Sequence, residues 1–186
     1  MLRKLLVALA VVAGVMLAPI PALAVTCAST FPVPNGNDQT SALQAVIDAA
    51  PDGTSTAPTG ICFPKHTPSY VYRVDGGLSM FDRHYIRILG RSAEIHRTAL
   101  IGDIDPTAKT EYVPQLKITS SSNIHVEALT ITSVGDCTFS TLYEGESGVS
   151  IHGSTDVDLA NVNISGAPGD AVGLGAYQAP GCQCAG

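Results

Sequence analysis

Leu116 to Ser133 reads LKITSSSNIHVEALTITS, and Val149 to Gly166 reads VSIHGSTDVDLANVNISG. The second stretch echoes the first position by position and without a gap, from Leu116 on Val149 to Ser133 on Gly166. Ile118 maps on Ile151, Ile124 on Val157, Val126 on Leu159, Leu129 on Val162 and Ile131 on Ile164. Within each copy the apolar residues fall two apart in three short bursts, separated by Ser, Asn, Asp and Gly. Alternation of period two is the pattern of a strand, and the polar breaks are the pattern of turns. A third copy begins at Ala171, where Val172 and Leu174 take the places of Val149 and Ile151. Three strands per unit, repeating about every 23 residues with one loop inserted, predict an all-β chain coiling into a solenoid.

The segment Met1 to Ala24 stands apart from that pattern. Arg3 and Lys4 precede an apolar run from Leu5 to Leu17, and the run ends in Pro19-Ile20-Pro21-Ala22-Leu23-Ala24. This is the layout of a secretory signal peptide cut after Ala24, too short and too proline-broken for a membrane span. The division expected is 1–24 signal peptide, 25–84 N-terminal cap and first strands, and 85–186 coils. Cleavage removes Arg3 and Lys4, which leaves 8 basic and 16 acidic residues and a formal charge of −8. That balance argues against nucleic acid or an anionic membrane as partner. A neutral glycan, or an anionic one bridged by a cation, is compatible with it.

All five cysteines lie after the signal, where export permits disulfides. One pairing would join Cys27 to Cys62 and leave Cys137 for Cys182 or Cys184. Asp38 to Ala50 is the one convincing helix. Ser41 with Gln44 suggests a capping box, Leu43, Val46, Ile47 and Ala50 form an apolar stripe, and Pro51-Asp52-Gly53 ends it. Its expected task is to cover the exposed hydrophobic end of the first coil. Strand-like runs follow at Ile61–Phe63, Tyr70–Val74 and Ile86–Leu89.

The stretch NDQTSALQAVIDAAPDG, then PTGICFP, YRV and IRILG, resembles the N-terminal region of the pectate-lyase-like superfamily. The coils SSNIHVEALTIT and STDVDLANVNIS resemble that superfamily's repeats, so the likeness runs from Asn37 to Leu174. The resemblance implies a right-handed parallel β-helix with a short N-terminal capping α-helix, secreted, acting on or binding polysaccharide. Of the polygalacturonase motifs, Gly169-Asp170-Ala171 keeps only a Gly-Asp, and His152-Gly153 has Ile151 where a glycine belongs. Three readings therefore stand: a polysaccharide lyase or hydrolase, a non-catalytic glycan-binding module, and a C-terminally truncated, non-functional fragment. The last is suggested by the absence of strand pattern from Gln178 onward.

Alternation points Lys117, Thr119, Ser150 and His152 outward on one sheet, a polar face suited to sugar hydroxyls. Asp136 and Asp170 each follow a glycine after the third strand of consecutive coils. Either they are turn residues that cap their own backbone, or they stack into an acid pair that shares a proton or holds calcium. The expected site is thus Asp136, Asp170 and His152 as catalytic residues, Lys117, Tyr143 and Ser150 as substrate contacts, and Asp136 with Asp170 as calcium ligands. His66, His84 and His96 show no spacing that pairs them with a metal or with a Ser or Cys nucleophile.

Overall fold

The computed structural model describes residues 25–99, 113–134, 147–167 and 170–175. Within them one helix and a succession of short strands build three parallel sheets. Strand β1 (Cys27–Thr30) precedes helix α1 (Thr40–Ala49). Then follow β2 (Thr59–Cys62), β3 (Val71–Arg73), β4 (Leu78–Phe81), β5 (His84–Leu89), β6 (Glu94–His96) and β7 (Leu116–Thr119). The chain continues through β8 (Ser122–Glu127), β9 (Thr130–Thr132), β10 (Val149–His152), β11 (Thr155–Ala160), β12 (Asn163–Ser165) and β13 (Val172–Gly175). The first sheet runs β1-β2-β5-β8-β11, the second β3-β6-β9-β12 and the third β4-β7-β10-β13. From β2 onward the chain visits the three sheets in the same rotation four times, so the sheets stack in the manner of a β-helix. That is one turn more than the echo revealed. The strands that neither the echo nor the strand-like runs showed, β1, β4 and β6, are CAST, LSMF and EIH, too short to carry a period.

The register follows the echo. Ile118 pairs with Ile151 and Ile151 with Leu174 in the third sheet. Ile124 pairs with Val157 in the first and Ile131 with Ile164 in the second. Inward side chains such as Ile61, Met80, Ile95, Ile118, Val126 and Ile131 are fully or almost fully buried in one cluster. Val172 and Leu174, expected inside, are 39% and 77% exposed. They lie on β13, the outermost strand of that sheet among the described residues, and an inward side chain needs a neighbouring coil on both sides to be covered.

Helix α1 buries Leu43 and Ile47, with Ala50 beyond its end, and packs Val46 against the same cluster, as its stripe predicts. The capping box does not form. The N-cap residue is Gln39, with no side-chain cap bond. Asp38 Oδ1 instead accepts from the Thr40 N–H and hydroxyl and from the Asp75 N–H, tying the helix start to the corner after β3. Gln44 turns to β4, where Nε2 donates to Ser79 O and Oε1 accepts from Ser79 N–H, both at 2.8 Å. An edge strand offers unpaired backbone groups, and a side-chain amide satisfies one donor and one acceptor together. At the other end Arg83 donates to the carbonyls of Ile47 and Ala50 and pairs with Asp52 at 2.9 Å.

Cys27 and Cys62 are joined in a disulfide that fastens β1 to β2, a bond that fits an extracellular protein. Cys137, Cys182 and Cys184 lie outside the described residues. Among the described residues no helix is long and apolar enough to cross a membrane.

Candidate functional site

Strict alternation in the first sheet buries Ile86, Ile88, Ile124 and Val126 and turns the residues between them outward. In-register pairing then sets Arg87 of β5, His125 of β8 and Asp158 of β11 abreast, one per coil. Parallel strands place such neighbours about 4.8 Å apart. At the start of each strand, His84, Ser122 and Thr155 form a second row. Between the rows, Tyr85, Asn123 and Asp156 take left-handed conformations with φ of 55°, 55° and 54°. Asn and Asp tolerate that region, but a bulky Tyr there carries strain of the kind that collects at functional sites.

Tyr85, Arg87, Asn123, His125, Asp156 and Asp158 line an open groove of about 290 Å³. Its far wall is the loop between α1 and β2, which contributes Thr54, Ser55 and Pro58. That loop is held by reciprocal backbone bonds between Thr54 and Ala57, at 3.0 and 3.1 Å.

The electrostatics of the groove centre on His125. Its Nδ1 lies 2.7 Å from Asp158 Oδ2 and its Nε2 lies 3.2 Å from Glu127 Oε2. Both ring nitrogens face carboxylates, so each is occupied by a protein partner. The two carboxylates flank opposite edges of the ring, so they share no point at which a cation would meet all three groups. Among the described residues no cluster of three or more His, Cys, Asp or Glu side chains is placed to hold a metal. Arg87 adds positive charge at one end of the row, with its Nε buried and unbonded among the described residues. Asp156 and Asp158 add negative charge at the other.

The residues expected from sequence fall elsewhere. Lys117 and Ser150 are direct partners on the outer face of the third sheet. Thr119 pairs with His152 but is only 4% exposed, so it is buried and not presented outward as alternation led one to expect. Their row continues to Gly173 and Gly175 on β13. The His152 ring lies over Gly175, where an added Cβ would come within 3.0 Å of it. At the other edge of the face, Phe81 of β4 pairs with Thr119 and is 58% exposed. Asp170 is exposed at the corner before β13, and its carbonyl accepts from Gly148 N–H at 3.1 Å. Asp136 and Tyr143 lie outside the described residues, and with them the stacked acid pair and its calcium.

Sequence reasoning passed over His125 entirely, although the echo carries it onto Asp158. It also left His84 without a nucleophile. In the fold His84 Nδ1 lies 2.8 Å from Ser122 Oγ, because β5 and β8 pair at an offset of 38 residues that no echo betrays. No family model, curated protein or solved structure matches this chain.

Proposed function

We propose that the chain is a secreted, right-handed parallel β-helix that binds polysaccharide along the outer face of its first sheet. The observation that carries this reading is the groove lined by Tyr85, Arg87, Asn123, His125, Asp156 and Asp158. It spans three successive coils, offers hydrogen-bond donors and acceptors at strand spacing, and includes one aromatic ring for a sugar face. Sugar chains present hydroxyls at regular intervals, and a rigid row of paired polar side chains meets them without having to reorganise. The bracketing of His125 by Asp158 and Glu127 favours recognition over glycosidic bond cleavage at this groove. Lyase or hydrolase chemistry would rest instead on Asp136, Asp170 and His152, with calcium as the cofactor of a lyase.

Affinity electrophoresis of the secreted chain against neutral and acidic polysaccharides tests the proposal, with reducing-sugar and unsaturated-product assays run beside it. We expect retardation by at least one polysaccharide, weakened about tenfold or more by Arg87→Ala, since truncating one well-placed polar anchor costs upward of about 1.4 kcal/mol. Retardation by none would remove the reading. Product formation abolished by Asp136→Asn or Asp170→Asn would replace it with the enzymatic one.

A further inference from the structure

We infer that Ser122 is a nucleophile served by His84 as general base, with Asp82 as the positioning carboxylate, for cleaving O-acyl esters on a bound glycan. The glycan rests on the reading above; the nucleophile does not. Ser122 Oγ lies 2.8 Å from His84 Nδ1, and the opposite nitrogen, Nε2, lies 3.6 Å from Asp82 Oδ1. A hydroxyl, an imidazole and a carboxylate in line are the three parts that activate a serine, whatever their order in the chain.

Backbone geometry holds the three parts in place. His84 and Ser122 are direct ladder partners on β5 and β8, and Ser122 N–H donates to Arg83 O at 2.9 Å. Asp82 sits at φ 53° in the tight turn between β4 and β5. The His84 N–H is fixed by Asp52 Oδ1 at 3.1 Å. The His84 side chain is 43% exposed, so a substrate can reach it. The groove begins at the next residue along each strand, Tyr85 and Asn123.

The chemistry balances with water as the sole co-reactant. With Nε2–H directed toward Asp82, the Nδ1 lone pair accepts the Ser122 proton as Oγ bonds to the ester carbonyl carbon. Collapse of the tetrahedral adduct breaks the bond to the sugar oxygen, which leaves with the proton from Nδ1. Water then attacks the acyl-serine, gives its proton to His84, and frees the carboxylic acid as Ser122 recovers its own. The Asp82 carboxylate stabilises the imidazolium that forms in each half. A sugar alkoxide needs one proton to leave and asks less of an open site than an amine would.

The test treats the full secreted chain with a fluorophosphonate probe and maps the adduct by peptide mass spectrometry. Acetate release is measured from an acetylated polysaccharide that the chain retains. We expect the adduct on Ser122 and acetate in solution, both lost in Ser122→Ala. His84→Gln should slow both by about 10²-fold or more, the ordinary contribution of a general base. Asp82→Asn should lower kcat while leaving KM and retardation on the polysaccharide unchanged. Melting curves of all three variants confirm the fold. An unlabelled Ser122 in folded protein, or labelling and acetate release that persist in His84→Gln, would overturn the inference. Labelling at Ser122 by a chain that no polysaccharide retards would support the nucleophile and remove the glycan.

Discussion

Asp75 shows how single side chains lock one coil to the next. Its Oδ1 accepts from the Thr98 N–H and hydroxyl at 2.9 and 2.7 Å, and its Oδ2 from Arg73 Nε at 2.6 Å. Its own N–H donates to Asp38. Burial acts to raise the pKa of Asp75, but the Thr98 bonds and the Arg73 guanidinium outweigh it, so the carboxyl titrates below its ordinary 3.8. Asp38 and Asp52 are lowered in the same way, each against an opposing burial effect. A depressed carboxylate binds fewer protons folded than unfolded, so its stabilisation is present above the unfolded pKa and is lost as pH falls through the folded one. The melting temperature should therefore drop as pH falls from about 4 toward 2. Asp75→Asn should cost on the order of 1–2 kcal/mol at neutral pH, and the gap to the parent should close on acidification. A gap that stays constant to the acid limit would deny the carboxylate this role. None of these partners was legible in sequence, because Thr98 and Asp38 reach Asp75 only once the coils stack.

Helix α1 was legible as an element and misread in its detail. The stripe Leu43, Val46, Ile47 and Ala50 follows from helical period alone and is the face that packs on the core. The capping box failed because Gln44 has a better partner in Ser79 of β4, an edge that no local pattern reveals. Two consequences separate at this scale. Leu43→Ala should destabilise by about 2–5 kcal/mol through lost burial and a residual cavity. Gln44→Ala should cost about 1–3 kcal/mol from two exchanged hydrogen bonds, while a free capping residue would cost far less. Urea unfolding midpoints measure both. An unchanged midpoint for Gln44→Ala would mean the β4 edge does not depend on the helix.

Across the whole molecule, burial falls from the helix-covered end toward β13. Leu43, Ile61, Tyr72 and Ile118 are fully buried, Ile151, Val157 and Ile164 partly so, and Leu174 is largely exposed. In a stack where each coil touches only its neighbours, stability follows that gradient. Hydrogen exchange should show strong protection of the amides in β5, β7 and β8 and the weakest in β13. Equal protection in β8 and β13 would contradict it. The echo from Leu116 to Gly166 by itself determined strand order, sheet assignment and register in the later coils. Strand pairing in a stack is set by alternation, and alternation is a local property of the chain. The tertiary structure alone decided the helix cap, the place of Arg87 beside His125 and the Ser122–His84 contact. Those depend on unequal insertions between coils, which give the β5–β8 pair a wider offset than the β8–β11 pair. Side chains that no fixed period connects are thereby brought together.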